Sequence, residues 1–183
     1  AAETGSGKTG AFCLPILQIV YETLKDIQEG NKGPRTGTQA SSNNEFKPVQ
    51  LSFYDRSHGL AIDTDGFTCQ SRDQRLWNGA RSTKGVKGKG RYYFEMTQTD
   101  PNGIARIGWS VSSAPLDLGT DNQGFGYGGT GKKSFAKQFD DYGETFGVND
   151  TIGSLLDLDL MKIRFFKNGS FEYRSLSILI TVN

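Results

Sequence analysis

The sequence predicts a mainly β protein, an antiparallel β-sandwich that follows a short N-terminal segment made of a loop and one helix. Two observations predict the sandwich. After residue 48 apolar and polar residues alternate along short runs, which is the period of a half-buried strand. Glycine and asparagine separate these runs, and 24 of the 183 residues are glycine while only 35% are hydrophobic. Such a composition is typical of many short strands joined by tight turns.

The N-terminal loop is the segment Ala2-Glu3-Thr4-Gly5-Ser6-Gly7-Lys8-Thr9. It fits the phosphate-binding pattern G-x-x-x-x-G-K-[ST] except at the first position, where Ala2 stands in place of glycine. In such a loop the backbone amides hold the phosphates of a nucleotide, the lysine reaches the β- and γ-phosphates, and the hydroxyl binds Mg²⁺. We therefore predict a nucleotide site here, with Lys8 on the phosphates and Thr9 on Mg²⁺. A glycine-rich turn before a core helix is the alternative.

Residues 10–29 carry the pattern of an amphipathic helix. Apolar residues recur there at helical spacing: Phe12, Ile16, Ile19, Val20 and Leu24. Pro15 is expected to kink this helix because it removes one backbone hydrogen bond, and Gly30 fits its end. Residues 30–48 are rich in Gly, Ser, Thr and Asn, with almost nothing apolar to bury. We predict a flexible linker and a domain boundary there.

Four runs after the linker alternate with a period of two and predict strands at residues 92–98, 105–111, 151–158 and 161–165. In the second run the odd-numbered positions share one face. Lys167-Asn168-Gly169 is a hairpin-type turn that leads to Phe171. Several short strands with glycine and asparagine between them favour an antiparallel β-sandwich.

These runs also resemble the SPRY domain. The matching motifs, in order, are Tyr92-Tyr93-Phe94-Glu95, Arg106-Ile107-Gly108-Trp109-Ser110, Phe125-Gly126-Tyr127-Gly128-Gly129-Thr130-Gly131, Asp150-Thr151-Ile152-Gly153-Ser154-Leu155-Leu156-Asp157 and Ile163-Arg164-Phe165-Phe166-Lys167-Asn168-Gly169. The resemblance implies a β-sandwich that binds partners through loops at one edge. Phe125 and Tyr127 fall in a glycine-rich loop of this pattern, where they serve either as partner contacts or as buried anchors.

The N-terminal loop is similar to the first ATP motif of DEAD-box RNA helicases, A-x-x-G-x-G-K-T, and Gly10-Ala11-Phe12 continues the likeness. The two halves together resemble the N-terminal part of a SPRY-containing DEAD-box ATP-dependent RNA helicase, in which the SPRY domain is inserted just after that motif. The implied layout is a partial RecA-like domain at 1–29, the linker at 30–48, an incomplete SPRY domain at 49–174 and an unaligned apolar tail at 175–183. The tail is either a substitute strand or an unrelated end.

This resemblance implies ATP hydrolysis coupled to RNA unwinding, with ATP bound at Ala2, Glu3, Thr4, Gly5, Ser6, Gly7, Lys8 and Thr9, and Mg²⁺ at Thr9. It also implies RNA and protein partners. An ATPase of this class needs further motifs, and Asp-Glu-Ala-Asp, Ser-Ala-Thr and His-Arg-x-Gly-Arg are absent from the 183 residues. We therefore expect no hydrolysis by this chain alone, and a structural role for Asp157. The rival hypothesis is a non-enzymatic SPRY interaction module with a vestigial phosphate-binding loop.

Two cationic clusters are candidate contacts to RNA or to a partner. The first comprises Arg81, Lys84, Lys87, Lys89 and Arg91, and the second Lys132, Lys133 and Lys137. In proteins that handle RNA, such clusters contact phosphates. The alternative is a solvated loop that keeps the sandwich soluble.

Composition argues against several other functions. His58 is the only histidine, and Cys13 and Cys69 lie far apart, so neither a structural zinc site nor a Ser-His-Asp triad is expected. We expect His58 in a surface turn. No apolar run approaches the roughly 18 residues of a membrane span, and the net charge of +1 predicts no partner by itself. The cysteine pattern fits a reducing compartment, and we expect the protein in the nucleus and cytoplasm.

Overall fold

The computed structural model describes residues 12–14, 48–73, 75–171 and 176–177, with the backbone alone at 12–14, 170–171 and 176–177. The strands in these residues, in chain order, are β1 (Phe12–Leu14), β2 (Leu51–Arg56), β3 (Leu60–Ile62), β4 (Cys69–Ser71), β5 (Ala80–Ser82), β6 (Arg91–Thr97), β7 (Arg106–Ser110), β8 (Gly124–Gly128), β9 (Lys132–Phe135), β10 (Gln138–Asp141), β11 (Thr151–Asp157), β12 (Lys162–Lys167), β13 (Ser170–Phe171) and β14 (Leu176–Ser177).

The strands form two main antiparallel sheets and two short ribbons. The larger sheet has the order β1-β6-β11-β12-β13, and β14 also pairs with β12. The four-stranded sheet has the order β10-β9-β8-β7, while β2-β5 and β3-β4 form the ribbons. Apolar side chains of both main sheets share one core. This part of the chain is therefore the antiparallel β-sandwich that the sequence predicts.

Tyr127 on β8 lies at the centre of the core. It is fully buried, and the centroid of its ring lies 5.2 Å from those of Phe146 and Phe165 and 5.3 Å from that of Tyr142. Phe125, on the same strand, is also buried. The placement of Phe125 and Tyr127 in a loop is wrong, because they lie on a buried strand whose alternation turns both rings inward. They are core residues rather than partner contacts.

Trp109 on β7 joins the two sheets through a polar contact. Its indole N–H donates to the hydroxyl of Ser154 on β11 at 2.9 Å, and Ser154 is fully buried. The indole also packs edge-on against Phe94 of β6, with ring centroids 5.2 Å apart. A buried indole N–H needs an acceptor, so this hydrogen bond helps to set the position of β7 over the larger sheet.

The four predicted strands are confirmed as β6, β7, β11 and β12, with ends that shift by one or two residues. Of the odd-numbered positions predicted to share one face, Ala105, Ile107 and Trp109 belong to the core or pack against it, whereas Val111 lies beyond the end of β7 and is 48% exposed. The turn before β13 has φ angles of 50° at Asn168 and 77° at Gly169. Positive φ at both positions is what a two-residue hairpin loop of this kind requires.

Phe12–Leu14 form strand β1 and pair with β6. The sequence predicts part of a helix here, and for these three residues that prediction is wrong. Leu14 precedes Pro15, and a residue before proline is disfavoured in the helical region. In addition, the edge of β6 offers backbone groups to a strand. The remainder of the predicted helix, the phosphate-binding loop and linker residues 30–47 lie outside the described residues.

Leu176–Ser177 form β14 and pair with Ile163 and Lys162 of β12. For residues 175–183 the sequence leaves two alternatives, a substitute strand or an unrelated end. The pairing favours a substitute strand at these two positions, because β14 shares with β13 the edge of β12 that β11 leaves free. The other residues of the tail lie outside the described ones.

Replacement of Gly108 by alanine tests how closely β7 and β8 approach each other. A Cβ atom at this position would overlap the carbonyl oxygen of Phe125, which moves only with the backbone of β8. We expect Gly108→Ala to lower the free energy of unfolding by about 2 kcal/mol or more, measured by urea denaturation. Gly147→Ala is the matched control, since a Cβ atom there meets nothing within 4 Å, and its effect should stay within about 0.5 kcal/mol. Equal stabilities of the two variants would contradict this strand spacing.

Candidate functional site

The predicted nucleotide site, Ala2 to Thr9, lies outside the described residues. The assignment of these residues to ATP and of Thr9 to Mg²⁺ therefore stays a prediction. The two cationic clusters lie on the described sandwich.

Three lysines of the first cluster, Lys84, Lys87 and Lys89, lie in a loop that joins β5 to β6. We call residues 83–90 the basic loop. Every residue of this loop except Gly90 is exposed, and a Cβ atom at Gly85 or Gly88 would meet nothing within 4 Å. The hydroxyl of Tyr92 donates to the carbonyl of Lys89 at 3.0 Å, which holds the end of the loop against β6. The lysine side chains are thus presented to solvent on a projecting loop.

Arg81 has a structural position instead. Its guanidinium donates to the carboxylate of Asp55 at 2.9 Å, to the hydroxyl of Ser110 at 3.3 Å and to the carbonyl of Ala114. The side chain is only 17% exposed. Arg81 therefore ties the β2-β5 ribbon to the segment that follows β7, and its donors are used within the fold.

Arg91 is 73% exposed and its Nε lies 3.5 Å from the carboxylate of Asp157, which is almost fully buried. The same carboxylate accepts hydrogen bonds from the backbone amides of Asp159 and Leu160, at 3.1 and 2.9 Å. Asp157 thus closes the turn between β11 and β12. This geometry agrees with the structural role expected for it, and within the described residues no group of acidic, histidine or cysteine side chains is placed to hold a metal ion.

The second cluster lies on the β9-β10 hairpin, where acidic residues face it. Lys132 forms an ion pair with Asp141 at 2.8 Å, and Lys133 lies directly opposite Asp140 across the ladder. Lys137 is exposed in the hairpin turn with a φ of 65°. Because carboxylates offset its charge, this cluster is a weaker candidate for phosphate contacts than the basic loop.

A second surface feature, which we call the aromatic–arginine stack, consists of Trp77, Arg106 and Phe139 and was not predicted from the sequence. The guanidinium carbon of Arg106 lies 4.5 Å from the ring centroid of Trp77 and 5.0 Å from that of Phe139. Phe139 is 43% exposed. Strand alternation places Arg106 on the face opposite Ile107, but nothing in the chain marks the two aromatic residues that flank it.

The stem of Arg106 is held in place by its surroundings. A Cβ atom at Gly126 would lie only 2.8 Å from Cδ of Arg106, so the absent side chain leaves the room that the stem occupies. The guanidinium also donates to the carbonyl of Leu118 at 2.8 Å, and Ser134 donates to the same carbonyl at 3.2 Å. Half-exposed aromatic and arginine side chains in a rigid setting are typical of the residues that dominate protein interfaces.

The pKa shifts of Asp150, Asp100 and Tyr93 have local structural causes. A hydrogen bond from the Gly147 amide lowers the pKa of Asp150, one from the Asn102 amide lowers the pKa of Asp100, and burial raises the pKa of Tyr93. His58 is exposed in the turn between β2 and β3, as expected.

Replacement of Arg81 by alanine separates the structural arginine from the lysines of the basic loop. Its loss would leave the carbonyl of Ala114 and the carboxylate of Asp55 without this donor, and we expect the free energy of unfolding to fall by about 1–3 kcal/mol. Lys87→Ala, an exposed position, should change it by less than about 0.5 kcal/mol. Urea denaturation of both variants measures the difference, and an Arg81→Ala variant as stable as Lys87→Ala would disprove the structural assignment.

Comparison with known protein families and sequences agrees with these features. Residues 91–178 match the SPRY domain. The chain is 57% identical to the ATP-dependent RNA helicase Ddx1 of Drosophila melanogaster and 56% identical to the ATP-dependent RNA helicase DDX1 of Xenopus laevis, in each case over 92% of its own length. It is also 39% identical, over 51% of its length, to the heterogeneous nuclear ribonucleoprotein U-like protein 2 of Mus musculus, of which it covers 14%.

The chain spans less than a quarter of the two helicases, 23% and 22% of their lengths. The SPRY match begins at residue 91 and ends at 178, whereas the sequence predicts the domain at 49–174. No helix of the described residues has the length and hydropathy of a membrane span. Residues 91–178 of the chain thus match the SPRY domain, and the chain is similar, along 92% of its own length, to a part of two proteins named as ATP-dependent RNA helicases.

Proposed function

We propose that the protein to which this chain belongs is an ATP-dependent RNA helicase that carries a SPRY interaction module. The observation that carries the proposal is the 57% identity over 92% of the chain to a protein named as such a helicase. That match extends well beyond residues 91–178, which carry the SPRY domain. The likeness therefore concerns the helicase as well as the module.

In this proposal the N-terminal loop binds ATP with Mg²⁺. The amides of Gly5 and Gly7 contact phosphate oxygens, Lys8 neutralises the β- and γ-phosphates, and Thr9 binds the metal ion. Hydrolysis also needs an acidic motif for Mg²⁺ and water and arginines from a second domain, and the 183 residues contain neither motif. We therefore propose that activity belongs to the longer protein and that this chain alone binds without turnover.

We further propose two partners for the sandwich. The aromatic–arginine stack is the contact for a protein partner, since it combines exposed aromatic area with an arginine that is already held in place. The basic loop is the contact for RNA phosphates, since its three lysines project into solvent. A protein with these partners is expected in the nucleus and cytoplasm.

The ATPase proposal predicts a difference between the chain and the longer protein. The longer protein should hydrolyse ATP in the presence of RNA, and Lys8→Ala should reduce its kcat at least about a hundredfold, because the lysine neutralises charge on the transferring phosphoryl group. The 183-residue chain should release no phosphate. A coupled phosphate-release assay measures both, and Lys25→Ala, another lysine near the loop in sequence, serves as the charge-matched control.

ATP hydrolysis by the isolated chain that depends on Lys8 would contradict the proposal that only the longer protein hydrolyses ATP. An inactive longer protein, with RNA and Mg²⁺ supplied, would instead favour the rival function, a SPRY interaction module with a vestigial phosphate-binding loop. The two results are distinguishable because they come from separate samples.

The RNA proposal predicts a specific salt dependence. The double variant Lys87→Ala and Lys89→Ala should bind single-stranded RNA with a weaker salt dependence. The slope of the logarithm of the association constant against the logarithm of the salt concentration should fall in magnitude by about 1.4, since each phosphate contact contributes roughly 0.7. The control is the double variant Arg72→Ala and Arg75→Ala, which removes the same charge from exposed positions outside the loop. Fluorescence anisotropy with a labelled oligonucleotide at several salt concentrations measures the slope. Equal slopes for the two variants would show that the basic loop is only a solvated surface.

A further inference from the structure

The outer edge of β6 carries a strand from a distant part of the chain. On one side β6 pairs with β11 along its whole length, from Arg91↔Asp157 to Thr97↔Thr151. On the other side it pairs with Phe12–Leu14, in the register Leu14↔Glu95, Cys13↔Met96 and Phe12↔Thr97. Strand β1 therefore lies along residues 95–97, the C-terminal part of this edge of β6.

The direction of the β6 backbone groups follows from the bonds at its two ends. Leu158 donates its amide to the carbonyl of Gly90, and Gln98 donates its amide to the carbonyl of Asp150. Gly90 and Gln98 thus face β11, and by the alternation of an antiparallel ladder so do the even-numbered residues between them. The amides of Tyr93, Glu95 and Thr97 point to the other edge, where β1 lies.

The same alternation fixes β1. Phe12 and Leu14 lie opposite Thr97 and Glu95, so their backbone groups face β6 and exchange hydrogen bonds with it. Cys13 lies opposite Met96, and its backbone groups point away from β6. Two of the three residues therefore hold the strand in place.

Strand β1 begins only three positions after Thr9 of the phosphate-binding loop. A loop of this type binds phosphate at the N-terminus of the helix that follows it. Residues 12–14 cannot belong to that helix and to β1 at once, because the two structures use the same backbone groups for different hydrogen bonds. The strand and the nucleotide-binding form are mutually exclusive.

We propose that the edge of β6 opposite β11 is a docking site for an extended segment of the same chain, residues 12–14, and that docking holds these three residues out of the helix expected after the phosphate-binding loop. The statement that strand docking and nucleotide binding exclude each other rests on the proposed ATP site, whereas the docking itself does not. The two equilibria are reciprocally coupled. Docking of the strand weakens nucleotide binding by some factor, and bound nucleotide weakens docking of the strand by the same factor.

Amide hydrogen exchange of the ¹⁵N-labelled chain, followed by NMR without nucleotide, tests the docking. The amides of Glu95 and Thr97 should exchange at least about tenfold more slowly than that of Tyr93, which faces the same edge beyond the end of β1. Leu14→Pro removes the amide that faces Glu95 and should abolish this difference at Glu95. Exchange at Ile163 and Phe165 in the core should stay slow, which would show that the sandwich remains folded.

Cys13→Pro is the matched control. It places a proline in the same segment and would disturb a helix as much as Leu14→Pro does. Its lost amide, however, points away from β6, a position that an edge strand tolerates, so Glu95 and Thr97 should stay protected. Equally fast exchange at Tyr93, Glu95 and Thr97 in the unmodified chain, or equal effects of the two variants, would overturn the proposal.

Light scattering on the same sample identifies the occupant. A mass of 20.1 kDa together with protected amides is expected for docking within one chain. A dimer with protected amides would mean that a second copy supplies the strand and would overturn the intramolecular version. Addition of MgATP tests whether nucleotide binding and strand docking exclude each other. Changes in the NMR chemical shifts of Gly7, Lys8 and Thr9, while the Glu95 amide stays protected from exchange, would disprove this exclusion. The exchange comparison contains no nucleotide, so its outcome does not depend on whether the longer protein is an ATPase.

Discussion

The packing of Tyr127 between the two main sheets is the contact on which the described structure depends. Its ring meets those of Tyr142 and Phe146, from the connection between β10 and β11, and that of Phe165 on β12. Its hydroxyl donates to the carbonyl of Glu144 and so holds the connection between β10 and β11 against the core. The larger sheet, the four-stranded sheet and this connection all meet at one side chain.

Strand β8, which carries Tyr127, also supports the aromatic–arginine stack on the outer surface. Because side chains alternate along β8, the positions beside Tyr127 turn outward, and they are occupied by glycine at 126 and 128. The stem of Arg106 lies over Gly126, and its guanidinium then reaches the carbonyl of Leu118 and the rings of Trp77 and Phe139. A shift of β8 in the core would therefore move the stack.

The sequence predicted the sandwich well because its strands carry their own signal. Period-two runs predict β6, β7, β11 and β12, and Asn168-Gly169 predicts the turn between β12 and β13. The surface features of the candidate site are harder to predict, because they arise from contacts between residues that are distant in sequence. Trp77 and Arg106 have no local pattern that joins them, and the hairpin that brings Asp141 to Lys132 turns at Ala136 and Lys137, which have positive φ without being glycine. With no turn residue to mark the hairpin, the lysines looked like an unpaired cluster.

Residues 12–14 show how a partner decides the structure of a short segment. Phe12 fits an apolar helical stripe, while Leu14 before Pro15 favours an extended backbone. A short helix in water is marginal unless its apolar face packs on something, and a short strand needs a ladder to join. Beside the described sandwich that ladder is β6. A domain that covered the apolar stripe would favour the helix instead, and this is the competition on which the proposed link between the phosphate-binding loop and the β6 edge rests.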